Sequence, residues 1–121
     1  LFQKAEKEIS NAEKHGINIL FFSDEAYPKR LKHIDDAPIL LYQKGNTNLN
    51  QDKTIAIVGT RQSTSYGTNF IEQLLLELKA YKPIIISGMA YGIDIIAHRE
   101  SLKNDLATVG VLANGLDSIY P

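Results

Sequence analysis

From Thr54 onward the chain alternates short runs of β-formers with helix-spaced segments, and this rhythm constrains the fold more than any other feature. "TIAIVG" (54–59) reads as a strand and "TRQSTS" as the turn after it. From about Ser65 to Ala80 the apolar residues Tyr66, Phe70, Ile71, Leu74, Leu75 and Leu78 recur at the spacing of one helical face, and Pro83 stops the helix. "IIIS" is the next strand, Ile93 to about Lys103 the next helix, and "ATVGVLA" a third strand. Strands alternating with helices imply right-handed crossovers, so the predicted fold is α/β: a doubly wound, mostly parallel sheet with helices on both faces. Such sheets bind ligands beyond the C-terminal ends of their strands. Three loops fall there: "GTRQSTS", "SGMAYGID" and "ANGLDSIYP".

The segment before Thr54 is less regular. Leu1, Phe2, Ala5, Ile9 and Ala12 mark a helix with Gly16 as its C-terminal stop. "INILFF" reads as a buried strand, "SDEAYPKRLKHI" as a turn into a short helix, "ILLYQ" as another strand and "KGNTNLNQDK" as a polar loop. The expectation is one compact domain over 1–121, with residues 1–53 as an extension of a 54–121 core. The chain lacks an initiator methionine and stops at Tyr120-Pro121, so it is read as a piece of a longer protein, truncated on the C-terminal side of the sheet.

Several function classes fall away on composition. With no cysteine there is neither a disulfide framework nor a thiolate metal site. Nothing approaches the roughly 20 apolar residues of a membrane span, and no secretory signal opens the chain, so a cytoplasmic location without membrane contact is expected. Net charge is −1. Neither half is basic, so binding to a polyanion must rest on a local site rather than on bulk attraction.

Each loop carries possible chemistry. In "GTRQSTSYG", Gly59 permits a sharp turn, and Thr60, Ser63, Thr64 and Ser65 offer hydroxyl donors. The next helix aims its free N–H groups and positive dipole end into the loop, and Arg61 can fork onto phosphate oxygens. The plainer reading makes Ser65 a helix cap and Arg61 a solvated residue. No Walker loop and no Gly-x-Gly-x-x-Gly follows the "TIAIV" strand, which disfavours an ordinary NTPase or dehydrogenase. In "SGMAYGID", Ser87 is a candidate donor, Gly88 and Gly92 allow close backbone approach, and Met89, Ala90 and Tyr91 line the turn. Tyr91 has little local core to fill and is a candidate for stacking on a base. Asp94 reads as a capping acid in the first turn of the next helix, and His98, at i+4, shares its face. A packing arrangement is the simpler account of that pair, and no third ligand supports a metal. In the last loop Asn114-Gly115 is a tight turn, and Asp117 is a capping or ligand-contacting residue.

Taken in order, "AIVGTR", "SGMAYGIDIIAH" and "NGLDSIYP" resemble the motifs of the DNA-processing protein A family (DprA, also called Smf), and "YPKRLKHIDDAPILLYQKGN" resembles a segment that precedes them there. The resemblance runs from about Gly16 to the end. It implies a Rossmann-like domain that binds single-stranded DNA, protects incoming strands during natural transformation and helps load the RecA recombinase. It implies no catalytic residues, no cofactor and no metal, and a homodimer formed largely outside this segment. Carried across, Gly59, Thr60 and Arg61 and the loop Ser87 to Gly92 line a DNA-phosphate pocket, with Gly115 and Asp117 flanking it; by their place in the loops Ser63 and Asn114 join the candidate contacts, and Ser65, Asp94, His98 and Asp117 read as structural or capping. The family often has arginine where this chain has Tyr91, which removes one phosphate contact. Many members carry a helical domain before this region and a winged-helix-like one after it. The rival reading is an enzyme or sensor of a small nucleotide, as in the phosphoribohydrolases of related fold, but their P-G-G-x-G-T-x-x-E loop is missing from this chain.

Overall fold

The computed structural model describes residues 1–116. It divides after Asn50 into two compact units, Leu1–Asn50 and Gln51–Gly115.

In the first unit, helix α1 (Phe2–Lys14) ends at His15, with Lys14 in its last turn, where a cation suits the helix dipole. Gly16 then takes φ +68°, the left-handed conformation that stops helices, and its N–H donates to Glu13 O at 3.2 Å. Of the predicted apolar face only Ala12 is buried. Strands β1 (Ile17–Phe21) and β2 (Leu40–Lys44) pair antiparallel, Ile17 opposite Lys44 and Phe21 opposite Leu40. Only Ile17 and Leu20 of β1 are buried, so the strand is half-buried rather than fully enclosed.

The expected short helix is a 3₁₀ turn at Lys29–His33, opened by Pro28. "YP…AP" is a packing device. Tyr27 is fully buried, its hydroxyl donates to Pro38 O at 2.6 Å, and its ring lies 5.4 Å from that of Phe22. Asn50 closes the unit: its amide donates to Glu25 O and Tyr27 O, and its Oδ1 accepts from Lys29 N–H at 2.7 Å.

The second unit is a parallel sheet of β3 (Thr54–Ala56), β4 (Ile84–Ser87) and β5 (Thr108–Gly110), in that spatial order. The registers are Thr54↔Ile84 to Ala56↔Ile86, and Ile85↔Thr108 to Ser87↔Gly110. Helices α2 (Ser65–Leu78) and α3 (Ile93–Lys103) make the crossovers. Both crossovers advance the same way, so right-handed connections put both helices on one face, and the two helices pack against each other. This is one half of a doubly wound sheet. Between sheet and helices lie Ile57, Ile71, Leu75, Ile85, Ile93, Ala97 and Leu106.

Two expected strands are shorter than their sequences. Ile57 N–H still donates to Ile86 O, and Val111 N–H to Ser87 O, after which each chain leaves the ladder for its loop. The predicted face of α2 also narrows: Ile71 and Leu75 are buried, whereas Tyr66 and Phe70 point outward. That helix ends two residues early in a 3₁₀ turn (Lys79–Tyr81), and Lys82 turns left-handed at φ 52°. The proline that follows disfavours right-handed helix at Lys82.

Candidate nucleic-acid interface

The C-terminal ends of β3 and β4 deliver two loops that interlock. Gly92 takes φ +86° and ψ −129°, and a Cβ there would strike the carbonyl oxygens of Thr60 and Arg61. Gly59 answers from the other loop: a Cβ there would stand 2.7 Å from Cβ, Cγ1 and Cγ2 of Ile93. The Thr60 carbonyl accepts from Ile93 N–H at 3.1 Å. Both glycines are therefore required for loop-to-loop contact, not for loop flexibility.

The two helix N-termini differ. Thr64 caps α2, its Oγ1 accepting from Gly67 N–H at 3.1 Å and its carbonyl from Thr68 N–H at 3.0 Å. The N–H groups of Ser65 and Tyr66 donate to no acceptor among the described residues, and no acid lies in the first turn. At α3, the Ile93 N–H is already bonded to Thr60 and Asp94 occupies the first turn. Of the two, α2 offers an anion the open end. Exposed Arg61 lies four residues before Ser65, and its guanidinium forms no hydrogen bond or ion pair among the described residues.

The predicted residues fall into separate groups. Thr60 is exposed and its Oγ1 accepts from Gln62 N–H at 3.2 Å; Ser63 is half-buried in the same loop. Gly88, Met89 and Ala90 are half-buried, and Tyr91 is 60% exposed. None of the backbone N–H groups from Gly88 to Gly92 donates to an acceptor among the described residues. Asn114 and Gly115 are exposed after β5, with the Asn114 amide donating to Gly115 O at 3.2 Å. Asp117 lies outside the described residues.

Four expectations change. Ser87 is 2% exposed and its hydroxyl donates to Ile57 O at 2.5 Å, so its side chain ties β4 to β3 and has no hydrogen left for a phosphate. The cap of α2 is Thr64, not Ser65, which is the first helical residue. His98 does not pair with Asp94: its Nδ1 lies 2.6 Å from Thr108 Oγ1, and its Nε2 donates to Gly88 O at 2.7 Å. Asp94 makes no capping hydrogen bond; its carboxylate sits over Gly88, where a Cβ would stand 2.6 Å from Oδ2. Thr108 went unnoticed in the sequence, because nothing local marks a strand threonine as the partner of a histidine ten residues earlier.

A parallel sheet with crossover helices and a cluster of small-residue loops at its C-terminal edge defines a Rossmann-like α/β domain. Comparison narrows this class. The family model described as DNA recombination-mediator protein A matches residues 18–121. The chain is 38% identical to the DNA processing protein DprA of Bacillus subtilis over 121 residues, covering 99% of this chain and 41% of that one. It is 40% identical to DprA of Streptococcus pneumoniae over 98 residues, or 81% of this chain and 34% of that one. The X-ray structure of DprA from Streptococcus pneumoniae superposes with a TM-score of 0.78 at 35% identity, over 93% of this chain and 40% of that one. A structure of DNA processing protein A from Helicobacter pylori, reported for its single-stranded DNA binding mode, superposes with a TM-score of 0.74 at 35% identity, over 87% of this chain and 46% of that one. The chain belongs to the DprA/Smf family and spans less than half the length of these relatives.

Proposed function

We propose that the loop cluster binds single-stranded DNA through its phosphate backbone and performs no catalysis. The observation that carries this reading is Arg61: exposed, without a partner among the described residues, and in the loop that leads into the open N-terminus of α2. The loop Gly88 to Gly92 adds a run of N–H groups without acceptors. Arg61, Thr60 and Ser63, with these amides, hold phosphate oxygens; Tyr91 stacks on a base; Asn114 and Gly115 flank the strand. The relative from Helicobacter pylori supports this assignment by its reported single-stranded DNA binding.

At a net charge of −1 the contacts are few, so affinity depends weakly on salt: one or two neutralised phosphates give a log–log slope of roughly −0.7 to −1.4 on a single strand. In the cell we assign the protein to DNA processing in the cytoplasm, where it protects incoming single strands and helps load RecA, acting as a homodimer.

Labelled oligo-dT, AMP and NAD, each titrated at several salt concentrations, test the reading. Oligo-dT binds, salt weakens it, and Arg61→Ala weakens it further. Tight mononucleotide binding without oligo-dT binding transfers the site to the small-nucleotide class. RecA filament formation on strands coated with single-strand-binding protein, with and without this protein, tests loading.

A further inference from the structure

At the loop cluster two peptide planes are turned by bonds to their carbonyls. A trans peptide carries its C=O and N–H on opposite sides, so whatever holds the carbonyl aims the next residue's N–H the other way. The Thr60 carbonyl, bonded to Ile93 N–H, turns the Arg61 N–H away from α3. The Gly88 carbonyl is held by His98 Nε2–H at 2.7 Å, which turns the Met89 N–H away from His98. That Met89 N–H has no acceptor among the described residues.

The imidazole is itself fixed. It is 9% exposed, and its Nδ1 accepts from Thr108 Oγ1–H at 2.6 Å, with Ile85 O 3.1 Å from the same oxygen. The Met89 side chain leans on Gly110, where a Cβ would stand 2.7 Å from Met89 Sδ and 3.9 Å from His98 Cε1. The ring thus bridges β5 and the β4–α3 loop, and its second nitrogen reaches the one carbonyl that orients the Met89 amide.

We propose that His98 is a positioning residue of the DNA site: it holds the Gly88–Met89 peptide so that the Met89 N–H faces outward and donates to a phosphate oxygen. This rests on the single-stranded DNA reading above. A histidine that only filled core volume would be replaceable by any side chain of similar size; a histidine that orients a peptide is replaceable only by one that donates at the Nε2 position.

Met89 is the only methionine, so ¹⁵N-methionine labelling gives it a backbone amide signal of its own. Oligo-dT is expected to bind the wild-type protein and to shift that signal. His98→Leu keeps the volume and loses the donor; its affinity falls roughly tenfold, the order of one hydrogen bond to a charged group. Its salt slope changes little, because the lost donor is an uncharged N–H that displaces no counterion. His98→Gln, whose Nε2 can reach Gly88 O, recovers most of the affinity, and its Met89 signal again responds to oligo-dT. His98→Leu with wild-type affinity overturns the proposal. So does a wild-type protein that binds oligo-dT without moving the Met89 amide, a result that holds even where His98→Leu fails to fold. A wild-type protein that does not bind oligo-dT at all overturns the DNA reading and this proposal with it.

Discussion

Replacing Gly92 by alanine tests the interlocked loops directly. The native φ of +86° with ψ −129° lies in a region open essentially to glycine, which an L-residue occupies only at about 1–3 kcal/mol. The added Cβ also runs into the Thr60 and Arg61 carbonyls, so the loops must part, and the Ile93–Thr60 hydrogen bond, worth about 1 kcal/mol, is lost. Together these destabilise the protein by about 2–4 kcal/mol, or about 1–2 M in the urea midpoint at an m-value near 2 kcal/mol/M. Two further glycines separate the causes. Gly45 has φ +114° and nothing within 4 Å of a new Cβ, so Gly45→Ala imposes backbone strain alone. Gly59→Ala imposes overlap with Ile93 without a left-handed φ. Urea unfolding followed by circular dichroism should therefore rank Gly92→Ala below Gly45→Ala, and oligo-dT anisotropy should show weaker binding for Gly92→Ala and Gly59→Ala than for Gly45→Ala. If Gly92→Ala is no less stable than Gly45→Ala, the packing of Gly92 against the Thr60–Arg61 peptide is wrong.

Thr64→Ala removes the side-chain cap of α2 and should lower stability by about 1 kcal/mol, read by urea unfolding, while Ser65→Ala at the neighbouring hydroxyl changes it by less. Tyr27→Phe deletes the hydroxyl that meets Pro38 O and should lower stability by about 1 kcal/mol, because Pro38 is exposed and water can take over its carbonyl. Tyr91→Arg adds a cation at an exposed loop position and should steepen the salt dependence of oligo-dT binding by about 0.7 in log–log slope. Tyr91→Ala should weaken oligo-dT binding by about 1–3 kcal/mol through lost stacking, with little change in that slope.

The element order was legible because hydrophobic period and punctuation agree along the second unit: three short β-rich runs, two helix-spaced segments, and Pro83 and the loop glycines at the breaks. The loops at the C-terminal edge follow from that order alone. Local ambiguity explains the smaller errors. Thr64 and Ser65 are adjacent hydroxyls and either could cap, so the choice depends on where the first helical turn closes. Tyr66 and Phe70 have the spacing of a core stripe, yet only the narrower Ile71–Leu75 edge meets the sheet. The partners of Ser87 and His98 come from residues 30 and 10 positions away, and no local pattern encodes such pairings.

The Ser87 hydroxyl has a consequence beyond joining two strands. Ile84-Ile85-Ile86 is a uniform run, and a β4 strand displaced by one residue would still set isoleucine opposite two of its three β3 partners. A slip of one residue turns every side chain to the other face, but within this run the exchange trades isoleucine for isoleucine. Only the native alignment brings the buried hydroxyl to the Ile57 carbonyl. A misaligned strand leaves it unsatisfied at about 1–3 kcal/mol, enough to hold the slipped state to roughly one molecule in five to one in a hundred and fifty against this interaction alone. A single oxygen thereby acts as the registration key of an otherwise repetitive strand. Ser87→Ala is the change that would let β4 lose its place.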